Sequence, residues 1–509
     1  MCPSLAQRRG RASRVCDSRR KLSYQPIIHV VTQMRRRDFI KGAALIAGNA
    51  AASFGNALPE GVRARLTLDT SRTIATIPSD FVGLGYEISS VARAGLLSAT
   101  DSVYVRLCRT LGSSGIIRVG GNTSDYASYS AATQALSSPE TGPGSVVNDS
   151  VLRDLGSFLE ATGWKLIWGL NLGRGTIEAA VKEAKAVVAA TGPNLFAFEI
   201  GNEPDLFPNR EIHRKKAYDY GDYLLEYRKF RDELRKSIPG IPFAGPDVAT
   251  ATSWVSRFAR DEGRDLKLLT HHYYREGQNP TSSIDKLLQR DPKLGPMLAE
   301  LQAASKSCGV PYRICETNSF SGGGNPGVSD RFAPALWVLD FMYKLAAAQC
   351  GGVNMETGVN QLGFISSYSP IGDDDNGHYV AAPEFYGMLA FALGSDGELV
   401  DSQFQAGNSN LDGYAVLKRD TQLCITLINK ESKLDATITL GPTLPFQSGS
   451  VLRLSAPSME SNSGVTFGGA IVNLDATWRA NGEEKIRAFD GRVSLRLPAA
   501  SAAVLIMKR

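Results

Sequence analysis

Residues 195–205 read Leu-Phe-Ala-Phe-Glu-Ile-Gly-Asn-Glu-Pro-Asp and carry the clearest indication of the architecture. The first six are mostly apolar and lack the alternation of a strand with one face in water. Such runs are typical of a parallel sheet whose two faces are both covered. The stretch therefore predicts a buried parallel strand with Glu203 just past its carboxyl end.

Similar apolar runs recur along the chain between segments with helical spacing of apolar residues. The candidate strands cover residues 81–88, 115–120, 165–170, 195–201, 242–248, 268–274, 312–317 and 352–357. The helix-like segments between them include 151–162, 176–190, 218–237 and 330–350. Eight β/α units predict an α/β fold of the (β/α)8 TIM barrel type, over residues 81–395.

The pattern changes at about residue 397, where apolar and polar residues begin to alternate. The alternating segments are 414–418, 423–429, 436–440, 451–454, 493–497 and 502–507. Short alternating strands separated by Gly, Ser, Asn and Pro predict an antiparallel β-sandwich domain, which we place at 396–509. Residues 63–69 also alternate, so we expect an N-terminal segment, 58–80, to add a strand to the sandwich.

The first 57 residues have the character of a leader. Three arginines at 35–37 precede a small, apolar run at 42–54 and then Gly-Asn-Ala at 55–57. This resembles a twin-arginine export signal preceded by an upstream extension, and implies a bacterial protein that is periplasmic or secreted. The apolar run is shorter than the ~20 residues that span a bilayer, so we expect no stable membrane anchor. A disordered basic tail is the alternative.

Charge and cysteine content narrow the function. Residues 1–57 hold 11 Lys and Arg against 2 Asp, which leaves 45 basic against 49 acidic residues, about −4, in 58–509. This distribution predicts no nucleic-acid partner, because the basic excess lies in the leader. The cysteines after the leader, five in number and without a C-x-x-C spacing, do not predict a zinc site or a disulfide framework. We expect a monomer.

Two glutamates follow predicted strands four and seven. Glu203 follows the run at 195–200, and Glu316 follows the run at 312–315. Barrel enzymes carry their chemistry at the carboxyl ends of the strands. Cleavage of a glycosidic bond needs one protonated acid and one ionised carboxylate, so this pair predicts a glycosidase. Each glutamate taken alone could instead be a rim salt bridge or a helix cap.

Longer motifs support the same chemistry. Ile-Gly-Asn-Glu-Pro-Asp at 200–205, Thr-His-His-Tyr-Tyr at 270–274 and Cys-Glu-Thr-Asn-Ser-Phe-Ser-Gly-Gly-Gly at 315–324 resemble motifs of glycoside hydrolase family 79, the β-glucuronidases and heparanases. The resemblance covers the chain from about Arg63 onward. It implies that Glu203 is the acid/base, that Glu316 is the nucleophile and that no cofactor is required.

The resemblance also implies substrate-binding residues. Tyr273 resembles the tyrosine near the nucleophile, and Gly322, Gly323 and Tyr368 correspond to groups that hold the uronate carboxylate. Backbone N–H groups approach an anion closely where side chains are absent, which gives the glycines a physical reason. A flexible loop is the alternative for the glycine run.

Three further polar residues are candidates. Glu87, at the end of strand one, resembles the acidic residue that accepts hydrogen bonds from sugar hydroxyls. Asn202 could hydrogen-bond the sugar 2-hydroxyl or serve only as a turn residue before Pro204. Arg118, on strand two, is expected near Glu316, where its charge favours the ionised carboxylate; a purely structural salt bridge is the alternative.

The adjacent histidines at 271–272 raise the question of a metal. Neighbouring residues on a strand point to opposite faces, so we expect no metal site and prefer imidazoles hydrogen-bonded within the barrel wall.

These observations predict a retaining exo-β-glucuronidase that acts on a glycan or glycoside ending in glucuronic acid. An endo-acting, heparanase-like enzyme is the first alternative, although we find no Lys and Arg cluster suited to a sulfated polymer. A non-catalytic carbohydrate-binding barrel is the second.

Overall fold

A computed structural model describes residues 61–131, 145–209, 214, 217–360, 366–373, 377–418, 422–441, 446, 448–482 and 484–508. The predicted leader, 1–57, lies outside these residues. Within the described part of the chain, no helix combines the length and the apolar character needed to cross a membrane.

The strands, numbered along the chain, are β1 (Val62–Ile77), β2 (Val82–Glu87), β3 (Ile116–Gly120), β4 (Ser128–Ser130), β5 (Val146–Asn148), β6 (Lys165–Leu170), β7 (Leu195–Ile200), β8 (Phe243–Val248), β9 (Leu266–Gly277), β10 (Tyr312–Ser321), β11 (Val353–Glu356), β12 (Ile371–Asp373), β13 (Tyr379–Ala381), β14 (Gly397–Gln405), β15 (Leu411–Lys418), β16 (Leu423–Asn429), β17 (Ala436–Leu440), β18 (Ser448–Ser455), β19 (Thr466–Phe467), β20 (Glu484–Arg487), β21 (Val493–Leu497) and β22 (Ser501–Lys508). The helices are α1 (Ile88–Ala92), α2 (Ser102–Leu111), α3 (Asp149–Thr162), α4 (Ile177–Thr191), α5 (Tyr220–Ser237), α6 (Thr252–Glu262), α7 (Ile284–Leu288), α8 (Leu294–Cys308), α9 (Ala333–Ala347) and α10 (Pro383–Ser395).

Eight parallel strands close into a barrel in the order β2, β3, β6, β7, β8, β9, β10, β11. The predicted (β/α)8 fold is confirmed, and every predicted barrel strand is present. Strands β9 and β10 are longer than predicted because their pairing continues past the barrel rim, as far as Gly277 opposite Ser321. This extension builds one wall of the cavity described below.

Ten of the remaining strands form one sheet around the C-terminal segment, while β4 pairs with β5 and β12 pairs with β13 in two small sheets. Strand β1 runs between β14, to which it is antiparallel, and β17, to which it is parallel. Register shifts between Asp69 and Thr73 bend β1 midway. Buried residues of β16 and β22 share one apolar cluster with those of β17 and β21, so the sheet folds over itself into two layers.

Helices α9 and α10 connect the barrel to this sheet. Almost every residue of α9 is buried, which is why the segment is apolar around its whole circumference. The ring of Tyr343 stacks on Tyr414 with centroids 4.6 Å apart. Lys430 is 4% exposed and its Nζ lies 2.5 Å from Asp340 Oδ2 and 2.7 Å from Asp412 Oδ2. An ion pair therefore joins α9 to the sheet in the interior.

We predict that Lys430→Met destabilises the protein by about 3–5 kcal/mol, because removal of one partner leaves buried carboxylates uncompensated. Burial raises the pKa of Asp340, but Lys430 and Lys344 outweigh it and bring the pKa down to about 2. A lowered carboxyl pKa stabilises the fold above the unfolded value near 4 and loses that effect as pH falls toward 2. The difference between variant and wild type should therefore be full at pH 7 and shrink below pH 4 in urea titrations. Equal unfolding midpoints at pH 7 would contradict this.

Candidate active site

A cavity of about 920 Å³ opens at the carboxyl ends of the barrel strands. Its lining includes most of the residues proposed from sequence: Glu87, Glu203, Tyr273, Glu316, Gly322, Gly323 and Tyr368. Asn202 and Arg118 are 1% and 0% exposed and lie behind these groups. The fold thus brings together residues spread over more than 280 positions of the sequence.

Glu203 and Glu316 face one another across His272. The Nδ1 atom of His272 lies 3.2 Å from Glu203 Oε1 and 3.7 Å from Glu316 Oε2. Oxygens of the two carboxylates and a ring nitrogen of His272 all fall within 4.8 Å of one another. In retaining glycosidases the two carboxyl groups lie about 5–5.5 Å apart, and this close approach of one oxygen from each glutamate is compatible with that arrangement.

The turn after β7 presents Glu203 in an unusual backbone conformation. Glu203 has φ +50°, a left-handed region that costs a residue with a side chain about 1–3 kcal/mol. Its N–H donates to the Asp247 carbonyl at 2.8 Å, which links the turn to β8. Asp205 accepts from the backbone N–H groups of Ala249, Thr250 and Ala251 at 2.9–3.0 Å. The aspartate that ends the motif therefore fixes the turn instead of lining the cavity.

Arg118 hydrogen-bonds several carboxylates from behind the cavity lining. Its guanidinium donates to Glu199 at 3.1 Å, Asp247 at 2.6 Å, Glu316 at 2.8 Å and the side-chain oxygen of Asn202 at 2.8 Å. Burial lowers the pKa of Arg118, but Asp247, Glu199 and Glu316 raise it well above its ordinary value. The predicted proximity of Arg118 to Glu316 is present, and the same guanidinium also carries a buried ion network.

His272 and Asp247 form a second link in this network. The Nε2 atom of His272 lies 2.7 Å from Asp247 Oδ1. Burial lowers the pKa of His272, but Asp247 and Glu316 outweigh it and raise the pKa well above the ordinary histidine value. Burial raises the pKa of Glu199 to about 8, with Asp247 adding to the effect. Among the carboxyls that face Arg118 and His272, Glu199 is therefore the one whose protonated form is favoured.

Glu87 closes one end of the cavity. Its carboxylate accepts from the backbone N–H groups of Asn122 and Thr123, at 3.1 and 2.8 Å, and from the Thr123 hydroxyl at 2.6 Å. These bonds tie the end of β2 to the turn after β3. The carboxylate is therefore held in place while it still faces the cavity.

The glycine run after β10 is an ordered turn. Gly322, Gly323 and Gly324 have φ of +75°, +89° and +80°, a conformation that disfavours side chains at all three positions. The Gly323 carbonyl accepts from Ser367 N at 2.6 Å, and the Gly324 carbonyl accepts from Gln278 Nε2 at 2.8 Å. These bonds hold the turn beside Tyr368.

Known proteins resemble this chain in sequence and fold. Residues 413–504 match the model of the glycosyl hydrolase family 79 C-terminal beta domain. A β-glucuronidase from Aspergillus niger is 27% identical over 451 residues, which cover 76% of this chain and 82% of that protein. A β-glucuronidase from Neurospora crassa is 27% identical over 334 residues, 58% of each chain.

The chain is thus similar in sequence to members of glycoside hydrolase family 79, and these similarities support that family. Its fold is also similar to the crystal structure of a 4-O-α-L-rhamnosyl-β-D-glucuronidase from Fusarium oxysporum, with a TM-score of 0.71 and 18% identity, over 87% of this chain and 100% of that one. The protein is accordingly a glycoside hydrolase.

The tyrosine hydroxyl that contacts Glu316 belongs to Tyr274, one residue beyond the predicted Tyr273, which also lines the cavity. The hydroxyl of Tyr274 donates to Glu316 Oε1 at 3.0 Å, whereas the hydroxyl of Tyr273 donates to Asp291 at 2.8 Å. The ring of Tyr273 also stacks on Phe341 of α9 at 5.0 Å. Side chains alternate along β9, so the tyrosine that shares the inner face with His272 is Tyr274.

We predict that Tyr274→Phe lowers kcat/KM about tenfold or more, because Glu316 then loses one of its hydrogen bonds. Tyr273→Phe is the matched control: it removes the same atom from the neighbouring residue and should change kcat/KM by less than about threefold. Steady-state kinetics on an activated glycoside measure both. A larger loss in the Tyr273 variant would contradict the assignment.

Several polar residues of the site had not been predicted: Glu199, Asp247, Tyr274 and Glu356. Asp247 and Glu356 lie inside segments predicted as strands, where a lone carboxylate in an apolar run was the available signal. His272 is hydrogen-bonded in the barrel wall, as preferred from sequence, but its partners are the site carboxylates. Glu203, His272 and Glu316 have the separation of metal ligands. However, Arg118, Tyr274 and Asp247 already contact His272 and Glu316, so the set is better suited to proton transfer than to binding a cation.

Proposed function

We propose that the protein is a retaining β-glucuronidase that releases terminal β-D-glucuronic acid from a glycan or glycoside. The observation that carries the proposal is the opposed pair of Glu203 and Glu316, whose oxygens lie within 4.8 Å of one another at the cavity. The glucuronidase activity named for the two fungal relatives gives the sugar. The glycine turn and Tyr368 offer a place for its carboxylate.

In the first step Glu316 attacks the anomeric carbon and the bond to the leaving oxygen breaks. Arg118 and Tyr274 each donate to one oxygen of Glu316, so the carboxylate is oriented before the substrate arrives. The leaving oxygen takes a proton from Glu203. Because His272 Nδ1 lies 3.2 Å from Glu203, the two groups can share that proton until it is transferred.

In the second step Glu203 acts as a base. It removes a proton from a water molecule, the water oxygen bonds to the anomeric carbon, and the bond to Glu316 breaks. The product is β-glucuronic acid, with the configuration of the substrate. The proton removed from water restores the starting state of the pair formed by Glu203 and His272. No cofactor enters either step.

Recognition of the sugar uses the groups proposed from sequence. The backbone N–H groups of Gly322 and Gly323 and the hydroxyl of Tyr368 would hold the uronate carboxylate. The side-chain oxygen of Asn202 is occupied by Arg118, and its Nδ2 has no hydrogen-bond partner among the described residues. This amide can therefore donate to the sugar 2-hydroxyl, while Glu87 accepts from another hydroxyl.

The charges around the cavity favour a terminal sugar over a sulfated polymer. The described Lys and Arg residues that line it are Arg275 and Lys293, and Arg275 is already bonded to Asp291 at 3.0 Å. Glu276 and Glu300 line the same outer part. A sulfated chain would meet as much negative as positive charge there, so we propose exo action.

The decisive comparison sets p-nitrophenyl β-glucuronide against heparan sulfate, at equal concentrations of cleavable glucuronic acid. We predict that release of p-nitrophenol is faster by at least about a hundredfold, which corresponds to about 3 kcal/mol in the transition state. The average length of heparan sulfate should stay unchanged on gel filtration. Rapid shortening of the polymer would establish the endo alternative.

A further inference from the structure

Glu356, the last residue of β11, is a buried acid that the steps above do not use. It is 2% exposed and lines the cavity together with Glu87, Glu316 and Tyr368. Neither of its carboxyl oxygens has a hydrogen-bond partner among the described residues. Buried polar groups are nearly always satisfied, so an acid with two unsatisfied oxygens at a substrate cavity indicates that a ligand supplies the missing partner.

The main chain holds Glu356 firmly in this position. Asn318 Nδ2 donates both to the Glu356 carbonyl, at 3.1 Å, and to the Tyr368 carbonyl, at 3.0 Å. Strand pairing places Glu356 opposite Gly85 of β2. A Cβ atom at Gly85 would lie 2.6 Å from Glu356 Oε2, so the side chain crosses β2 where the neighbouring strand has no side chain. The carboxyl group therefore lies against Gly85, in the cavity that Glu87 and Tyr368 also line.

The surroundings of Glu356 favour its protonated form. Burial raises its pKa well above the ordinary value, and the charges of Glu316 and Glu87 raise it further, against Arg118 and His272. The ionisable groups that face it from the surrounding strands and loop are Tyr86, Glu87, Arg118, His272, Tyr274, Glu316 and Tyr368. A protonated carboxyl can donate one hydrogen bond and accept another, so it can pair with the oxygen of a sugar.

We infer that Glu356 binds the sugar as a neutral acid and donates a hydrogen bond to an oxygen of the uronic acid bound in the cavity that Glu87 and Tyr368 also line. The inference rests on the proposed glucuronidase function. Its consequence is specificity: an ionised Glu356 would lose its donor and place a further negative charge beside Glu87, Glu316 and the substrate carboxylate. Binding of an anionic sugar should therefore weaken as pH rises through the raised pKa of Glu356.

The test measures kcat and KM for p-nitrophenyl β-glucuronide between pH 5 and 9 for the wild type, Glu356→Gln and Glu356→Leu. Glutamine keeps a donor and cannot ionise, so Glu356→Gln should stay within about tenfold of the wild type at pH 6 and lack its alkaline rise in KM. Leucine also cannot ionise but has no donor, so kcat/KM of Glu356→Leu should fall about 10- to 100-fold, mostly through KM.

Glu183→Gln is the matched control. Glu183 is likewise buried, at 5% exposed, and burial raises its pKa to about 7, but it accepts from Trp168 and does not line the catalytic cavity. This variant should follow the wild-type pH profile. Thermal melting of all variants separates loss of folding from loss of binding.

Three results would overturn the inference. They are wild-type kcat/KM in Glu356→Leu, a loss in folded Glu356→Gln as large as in Glu356→Leu, and an alkaline rise in KM that Glu356→Gln shares with the wild type. If Glu356→Leu does not fold, the comparison of wild type with Glu356→Gln still decides. A wild-type protein that releases no p-nitrophenol overturns the proposed function itself, which distinguishes the two failures.

Discussion

Glu316→Gln is expected to lower kcat for p-nitrophenyl β-glucuronide by about 10⁴-fold or more, in the range seen when a catalytic nucleophile is removed. The amide has nearly the same shape as the carboxylate and still has an oxygen for Arg118 or Tyr274 to contact. It cannot, however, form the bond to the anomeric carbon. The loss should appear in kcat while the fold is retained, and stopped assays with circular dichroism of the same samples measure both.

Glu203→Gln should behave differently on the same substrate. Nitrophenolate leaves without help from an acid, so the first step survives better than the second, in which no base activates water. Azide needs no base, and we expect it to restore turnover and to yield a β-glucuronyl azide. Glu276→Gln is the control, since this carboxylate lines the same cavity but is paired with Lys286 at 2.6 Å. Equal turnover by wild type and both catalytic variants would exclude the proposed chemistry and favour a carbohydrate-binding barrel.

A second large effect is expected when Arg118, the buried cation behind the cavity lining, is replaced. Arg118→Met should lower the free energy of unfolding by about 3–5 kcal/mol, because Glu199, Asp247 and Glu316 lose their common buried partner. The pH dependence of this destabilisation follows from the pKa of Asp247. Burial raises its pKa, but Arg118 and His272 hold it below the ordinary value. Its stabilising effect is present above the unfolded pKa near 4 and is lost as pH falls toward the lowered folded pKa, so the destabilisation should be full at pH 7 and shrink below pH 4.

Arg313→Met is the matched control for Arg118→Met. Arg313 is as deeply buried, at 1% exposed, but it donates to Asn354 and to backbone carbonyls and does not line the cavity. Both variants should unfold at lower urea concentrations. Only Arg118→Met should also lower kcat of the folded protein, by about 10²-fold or more, because Glu316 and Asn202 lose their positioning contact. Unchanged kcat in folded Arg118→Met would reduce Arg118 to a structural salt bridge.

The barrel was predictable because its strands are buried on both faces. Apolar runs such as 165–170 lack competing patterns, and the end of β7 then places Glu203 without further information. Glu316, predicted at a strand end, lies within β10, which continues to Ser321. The strand Gly397–Gln405 was not predicted, since its alternation is weak and its position depends on pairing with β1. The sequence pattern indicates which segments are buried, whereas the pairing of strands depends on contacts across the whole fold.

The polar network was less predictable. Asp247 lies within the apolar run of β8, where sequence alone offers no partner for it, and only the folded barrel brings it to Arg118 and His272. The prediction named Tyr273, whereas the hydroxyl of Tyr274 contacts Glu316, and this difference has a simpler cause. A shift of one residue along β9 decides which side chain points into the barrel. When a strand is apolar on both faces, its sequence does not show which alternate residues point inward.

Formation of a covalent bond between Glu316 and the sugar can be tested directly by trapping. A 2-deoxy-2-fluoro-β-glucuronyl fluoride should inactivate the enzyme in a time-dependent manner, because fluorine at C2 slows release of the intermediate more than its formation. Mass spectrometry of the digested protein should then find one glucuronyl group, on the peptide that contains Glu316. Attachment to another residue, or turnover that yields α-glucuronic acid without any labelled peptide, would contradict the mechanism.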